Sequence, residues 1–255
     1  MRSLHITCAV LHYTSALVML IVGIDKVKTA RVVTVVALRN QTALHIEHPE
    51  PVSLLTLLVL CSVVSGTMHV FNSFEKELVG NNPFRWIDYA ISSPMMVVVI
   101  ALITGVADVW TLWGMAAMQS FLMIVSGVLE GHDNILPMSI IMAIYYTITV
   151  WGPIFHAIAQ QHVPLFVAWI IATLFLLFAS FGVVYVVAIG TKNKKKIEVA
   201  YATLSVAAKL SLQWLVYGGA DSLDGEAQGS VIGIILSIVM IISISVGVIF
   251  WRREC

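Results

Sequence analysis

RWIDYAISSP, residues 85–94, places an arginine, an aspartate, two serines and a proline inside an otherwise apolar stretch. That stretch, about residues 84–106, is long enough to cross a bilayer, which takes roughly 20 apolar residues. Charged side chains are costly in hydrocarbon and usually have a function there. The sequence therefore predicts a membrane helix in which Asp88 has a partner elsewhere in the chain.

The composition places the whole chain in the multi-pass membrane class. Of its 255 residues 59% are hydrophobic and only 11% are charged, whereas about 25% are charged in an ordinary soluble domain. The formal net charge is zero, so we expect no nucleic-acid partner. Cys8, Cys61 and Cys255 suit neither a disulfide framework nor a zinc site. We also expect the apolar N-terminus to be a retained first helix rather than a signal peptide.

Eight stretches qualify as membrane spans, joined mostly by short connections that fit one antiparallel bundle. They are residues 4–24, 52–73, 84–106, 108–129, 135–158, 163–190, 198–219 and 229–251. The fold class is therefore an all-α integral membrane bundle.

The one long connection, residues 25–51, contains the β-branched run ARVVTVVAL, which is too short to cross a bilayer. It predicts a small β-hairpin outside the membrane, with a disordered loop as the alternative.

Basic residues favour a cytoplasmic N-terminus. Three basic segments fall on one side of an eight-span chain: Arg2, the stretch KNKKK at 192–196 and the final WRREC. The acidic loop 220–228 falls on the other side. Cytoplasmic loops carry an excess of lysine and arginine. The basic residues of the 25–51 connection argue the opposite orientation.

Lys209 is the least expected residue of the seventh span, because about ten residues of helix lie on each side of it. A lysine at that depth costs on the order of 3 kcal/mol and cannot easily reach water. Two explanations remain equally open. The lysine forms an ion pair with a buried acid, or its nitrogen forms a Schiff base with an aldehyde.

Asp88 is the candidate counterion for either form of Lys209. It shares a helix face with Arg85 and Ser92, and we expect Arg85 to tune the aspartate. Ser205 lies one turn before Lys209 and faces the same way. A structural ion pair in a transporter-like bundle is the alternative to a cofactor site.

Two histidines lie inside spans, His12 in the first and His69 in the second. Together with Arg85 they predict a polar cluster that accepts a proton, although a single membrane histidine is more often a packing residue. No spacing of metal ligands indicates a metal site.

Aromatic and methionine side chains at mid-depth are compatible with a pocket for an elongated apolar ligand. The candidates are Met118, Trp151, Phe178, Phe181, Tyr185 and Trp214. Such stripes are more often simple bundle packing.

Two motifs give the chain a resemblance to the heliorhodopsins, a family of microbial-type retinal rhodopsins. NNPFRWIDYAISS, residues 81–93, resembles the third-helix motif of that family, and LSVAAKLSLQW, residues 204–214, resembles its seventh-helix motif. His12, His69 and the long first connection also match the family pattern.

The resemblance implies a seven-helix domain over residues 1–220, with retinal, all-trans in the dark, bound to Lys209 as a Schiff base. Asp88 takes the counterion position, and Ser92, Ser205 and the aromatic candidates belong to the retinal site. Residues 221–255 are an acidic loop and an additional transmembrane helix. The surroundings are the lipid bilayer, and we expect a homodimer or other homo-oligomer and an unidentified signalling partner.

Three departures from the family pattern affect this interpretation. The counterion is aspartate where the family usually has glutamate, and Ser93-Pro94 resembles the corresponding run of pumping rhodopsins. The eighth segment, 229–251, has no counterpart in a seven-helix family.

Three functions follow as hypotheses, and none is enzymatic. The first is a photosensory receptor with a slow photocycle. The second is a light-gated proton or ion channel or a transporter, for which Glu130 and Glu198 offer a polar path. An active pump of the familiar type needs a carboxylate three turns after Asp88, where Val99 stands. The third is a membrane protein without a chromophore.

Overall fold

The computed structural model describes residues 1–24, 27, 29–30, 33–37, 43–47, 51–74, 82–130, 132, 135–160, 165–190 and 193–220. The predicted eighth span at 229–251 and the acidic connection before it, from residue 221, lie outside this part of the chain.

Seven helices in the described residues are long and apolar enough to cross a membrane, which confirms the predicted seven-helix bundle. They are Arg2–Gly23, Leu54–Phe74, Pro83–Ile103, Val109–Leu129, Leu136–Gln160, Leu165–Gly190 and Lys194–Ala220, and we call them the first to seventh spans. Each coincides with its predicted stretch to within a few residues.

The spans form a closed ring in which consecutive helices pack together and the first span packs against the seventh. Burial is very unequal around this ring. In the seventh span 78% of the apolar stretch is buried, and in the third span 61%, whereas the other five spans reach at most 39%. The third and seventh spans are therefore the interior helices, and the polar residues they carry face protein rather than lipid.

The start of the third span is fixed by local sequence. Asn82 caps the helix, because its side-chain oxygen accepts a hydrogen bond from the backbone N–H of Arg85 at 3.3 Å. Pro83 follows in the first turn, where its missing N–H costs nothing. This cap sets the position of Arg85 and, one turn later, of Asp88.

Pro94 interrupts the hydrogen bonding of the third span without breaking the helix. A proline cannot donate to the carbonyl four residues before it, which is that of Ala90. The hydroxyl of Ser120, on the fourth span, donates to this carbonyl at 2.9 Å. A neighbouring helix thus supplies the missing donor, as the lack of water in hydrocarbon requires.

The fifth span contains a π-helical turn at Thr147–Trp151. Turns of this kind add a residue to the helix and are frequent at functional sites. Here the turn ends at Trp151, which is 1% exposed and packs edge-on against Phe175 and Phe178 of the sixth span.

The described residues of the first connection include four short strands. β1 (Thr29–Ala30) pairs antiparallel with β4 (Val52–Ser53), and β2 (Val33–Ala37) pairs antiparallel with β3 (Ala43–Glu47). The second pair lies in the segment for which the sequence predicts a hairpin.

Gly127, on the fourth span, leaves room for a tryptophan of the third. A Cβ atom at this position would lie 2.7 Å from Cγ and 2.9 Å from Cβ of Trp86. Small residues at helix interfaces allow this kind of close approach in membrane proteins.

We expect Gly127→Ala to lower the thermal stability of the protein, because the added methyl overlaps the indole and overpacking costs about 1–3 kcal/mol. Thermal unfolding in detergent measures the effect. Gly114→Ala on the same helix is the matched control, since its added Cβ would meet no described atom within 4 Å apart from the adjacent residues and the local backbone of its own helix. Equal melting temperatures for the two variants would contradict this packing.

Candidate functional site

Lys209 and Asp88 meet in the interior of the bundle. The Lys209 ammonium nitrogen lies 2.9 Å and 3.1 Å from the two carboxylate oxygens of Asp88, and it also donates to the hydroxyl of Ser205 at 2.9 Å. Lys209 is 3% exposed and Asp88 is 1% exposed. The two charged residues singled out in the sequence are therefore direct partners, and Ser205 contacts the lysine as its position one turn earlier predicts.

Two serines hold the carboxylate of Asp88. Ser92, one turn later on the same helix, donates to its Oδ1 at 2.9 Å, and Ser65 of the second span donates to the same atom at 2.6 Å. Ser92 was predicted at this place. Ser65 was not, because a serine in an apolar helix gives no sign of which neighbour it faces.

Arg85 contacts acidic residues other than Asp88. Its guanidinium forms salt bridges with Glu198 of the seventh span and Glu130 at the end of the fourth. Long helical side chains point back toward the N-terminus of their helix, so Arg85 extends away from Asp88 toward the end of the bundle. Arg85 therefore pairs with these two glutamates rather than with Asp88, and its expected tuning of the aspartate stays a prediction.

The contacts around Arg85 form a second polar group, the arginine cluster, consisting of Arg85, Glu130 and Glu198. Trp86 donates its indole N–H to Glu130 at 2.6 Å, and Asn82 donates its amide to Glu198 at 2.9 Å. All three members are buried, with exposures of 4–7%. The sequence predicts that both glutamates lie near the ends of spans, and in the folded structure the surrounding helices bury them.

Three histidines lie next to one another between the first and second spans. His69 contacts His5 through their Nδ1 atoms at 3.1 Å, and its ring stacks on that of His12 with centroids 5.6 Å apart. The structure thus brings the two predicted histidines together and adds His5, which lay too close to the chain start to stand out. Within the part of the chain that the structure describes, both ring nitrogens of His12 and Nε2 of His69 are buried without a hydrogen-bonding partner.

A cavity of about 540 Å³ adjoins Lys209, within the size range of about 300–1,000 Å³ of small-ligand sites. Seven of the predicted residues line it: Ser92, Trp151, Phe178, Phe181, Tyr185, Ser205 and Lys209. The structure adds lining residues that the sequence did not single out, among them Tyr89, Ser93, Met96, Gln119, Phe175 and Tyr201.

Two predicted pocket residues do not line this cavity. Trp214 donates its indole N–H to Ser15 of the first span at 3.1 Å, because five residues after Lys209 is about 140° away around the helix. Met118 packs against the central apolar core, while its neighbour Gln119 lines the cavity.

The described residues contain no group of three or more histidine, cysteine or acidic side chains placed to hold a metal ion. The chemistry of the site instead suits an apolar carbonyl compound. Aromatic walls, a buried amine and a carboxylate beside the amine are the parts that such a ligand needs for covalent attachment.

A comparison with protein families agrees with this chemistry. The family model for Heliorhodopsin matches residues 1–220. The chain belongs to the heliorhodopsin family. No curated protein matches it at a significant level. As a heliorhodopsin it is an integral, multi-pass membrane protein that binds retinal and senses light, and the cavity beside Lys209 has the aromatic lining that an apolar chromophore needs.

The buried ion pair of this heliorhodopsin gives a test that needs no chromophore. Removing one partner leaves the other charge uncompensated and costs about 3–5 kcal/mol, whereas removing both costs much less. We therefore expect Asp88→Asn and Lys209→Met each to lower the melting temperature of the retinal-free protein. The double variant should lose clearly less stability than the sum of the losses in the two single variants.

Thermal unfolding of the four proteins completes this double-mutant cycle. Additive losses would mean that the two side chains do not interact in the retinal-free protein.

Proposed function

We propose that this heliorhodopsin is a photosensory receptor in which retinal is bound to Lys209 as a Schiff base and Asp88 is the counterion. The chromophore is all-trans in the dark, and the photocycle is slow and moves no protons actively across the membrane. A signalling partner reads the resulting change in the helices. The observation that carries the proposal is the contact of Lys209 with Asp88 at the wall of an aromatic cavity.

The counterion role follows from charge balance. A protonated Schiff base carries one positive charge at the nitrogen of Lys209, as the free ammonium does, so the aspartate remains paired in either form. The hydrogen bonds from Ser65 and Ser92 hold the carboxylate in place. Removing this negative charge would leave a cation uncompensated in a low-dielectric interior, which is strongly unfavourable.

Bound retinal supplies light absorption and isomerisation. The protein supplies a place for the proton that leaves the Schiff base. We assign this role to the cluster of His12 and His69, because these two imidazoles lie together beside the site and a neutral imidazole has one ring nitrogen that can accept a proton. Within the described residues both nitrogens of His12 and Nε2 of His69 have no hydrogen-bonding partner, which supports the assignment, since one nitrogen of each neutral ring can accept a proton.

The residues around Val99 argue against active pumping. A pump of the familiar design needs a carboxylate three turns after Asp88 on the third span. Val99 occupies that position and is 1% exposed, and its neighbours are Val98 and Ile100. The deeper half of the third span therefore offers no group that could return a proton to the site.

We further propose that the N-terminus is cytoplasmic. Arg2 and Lys194–Lys196 stand at the starts of the first and seventh spans, which lie at the same end of an antiparallel seven-helix bundle. The excess of basic residues at one end supports this orientation. The arginine cluster, at the start of the third and seventh spans, would then lie on the cytoplasmic half.

Attachment of retinal is tested by visible spectroscopy. Protein expressed with all-trans retinal should show a visible band that Lys209→Ala abolishes. Asp88→Asn should shift the peak and lower the pH at which the band is lost, because the cation has lost its counter-charge.

The control is Lys196→Ala, which removes a lysine at the start of the seventh span and should leave the band unchanged. A band that survives Lys209→Ala would disprove attachment at this residue. An unchanged peak and titration in Asp88→Asn would show that another group is the counterion.

Electrophysiology separates the receptor from the channel. Under voltage clamp we expect the illuminated protein to produce no steady photocurrent, because Glu130 and Glu198 are engaged by Arg85 rather than arranged along an open path. A steady current that reverses with the proton gradient, and that Asp88→Asn abolishes, would establish passive conduction and overturn the receptor assignment.

A further inference from the structure

His5 lies between the histidines and the arginine cluster. Its Nδ1 atom is 3.1 Å from Nδ1 of His69, and its Nε2 atom is 3.9 Å from Oε1 of Glu198. The ring is only 3% exposed. Two opposite nitrogens of one buried imidazole therefore face two different polar groups, each on another helix.

The contact between the two Nδ1 atoms restricts where protons reside. One nitrogen must carry the hydrogen and the other must accept it. If His5 donated, its neutral ring would turn an unprotonated Nε2 toward the Glu198 carboxylate, which is repulsive. The favourable neutral arrangement is the reverse one. His69 donates through Nδ1–H, and His5 directs Nε2–H toward Glu198.

A doubly protonated His5 is disfavoured by its surroundings. The N-terminal amine and Arg85 both lie within electrostatic range of the ring, and a buried cation beside two others is costly. In the neutral arrangement Nε2 of His69 remains unprotonated, which agrees with its having no hydrogen-bonding partner. Asp88 and Lys209 lie within electrostatic range of this same ring.

The arginine cluster has a charge that its own members do not balance. One guanidinium and two carboxylates sum to a formal charge of −1, and all three side chains are buried. A buried excess charge is unfavourable. Adding one proton to a glutamate would make the cluster neutral while leaving Arg85 one ionised partner.

We propose that His5 is a proton relay residue that connects His69 to Glu198, and that the arginine cluster stores one proton during the light response. This inference rests on the proposed release of a proton toward the histidines. It extends that role to a third histidine and names the group on which the proton comes to rest.

The transfer is balanced at each ring. A proton binds Nε2 of His69, and the Nδ1–H proton of His69 moves to Nδ1 of His5. The Nε2–H proton of His5 then moves to Oε1 of Glu198. Both imidazoles end neutral in their other tautomer, and one proton has been added to the cluster. The last step requires His5 and Glu198 to approach by roughly 1 Å to reach hydrogen-bonding distance.

The return of the proton along the same path restores the starting tautomers. Storage of this kind involves no net transport, which agrees with the absence of a reprotonating carboxylate at Val99. It also changes the bonding of Arg85 at one end of the bundle, because a protonated Glu198 is a weaker partner for the guanidinium.

Histidine tautomers test the resting arrangement in the dark and without retinal. In the protein labelled with ¹⁵N-histidine, solid-state NMR should show His69 protonated at Nδ1 only and His5 protonated at Nε2 only. His5→Asn keeps an acceptor near the Nδ1 position and should preserve the His69 tautomer. His5→Phe removes the acceptor and should abolish that preference. A wild-type His69 protonated at Nε2 would overturn the relay.

Infrared difference spectroscopy tests the proton transfer. The light-minus-dark spectrum of the retinal-bound protein should contain a protonated-carboxyl band that Glu198→Gln removes. Both His5→Asn and His5→Phe should lose this band, because neither side chain can pass a proton. A purely structural role for His5 would instead be rescued by asparagine. His156→Asn is the control, since His156 is exposed on the fifth span.

The outcomes distinguish this relay from the proposed receptor function. A visible band and a light response without a Glu198 carboxyl signal would overturn proton storage on Glu198 and leave the receptor intact. Absence of a visible band would overturn the receptor, and the NMR result would still decide the tautomer arrangement.

Discussion

The ion pair between Lys209 and Asp88 is the constraint on which the rest of the interior depends. Each charge alone would be expensive in hydrocarbon, on the order of 3 kcal/mol for a lysine at the centre of a helix. Together they can be buried only where side chains of the third and seventh spans meet inside the bundle. These are the two most buried of the seven described spans.

The need to hydrogen-bond every polar atom of this buried pair determines which side chains lie next to it. The aspartate has two carboxylate oxygens with several lone pairs, and they accept hydrogen bonds from the hydroxyls of Ser65 and Ser92 and from the ammonium group of Lys209. One of these donors comes from the second span, which therefore cannot rotate freely. A network of this kind is favourable only when every member is satisfied, so the buried Lys209–Asp88 pair also fixes the packing of three helices.

The interior is divided into two charged groups. The Lys209–Asp88 pair has no net formal charge, whereas the arginine cluster combines one cation with two anions. The histidines lie between them, with His69 close to the first group and His5 close to the second. In the proposed mechanism a proton moves from the site of the Lys209–Asp88 pair, through the histidines, to Glu198 of the arginine cluster.

The sequence by itself determined the seven spans, the depth of Lys209 and the pairing of that lysine with Asp88. The length of an apolar stretch depends only on consecutive residues, so it predicts a span without coordinates. The cost of burying an unpaired lysine restricts its partner to the few acidic residues inside the spans. Only the tertiary structure decided the partner of Arg85 and the contributions of Ser65 and His5. These contacts depend on how each helix is rotated about its own axis relative to its neighbours. The sequence of one helix does not show which neighbouring helix its serine or histidine faces.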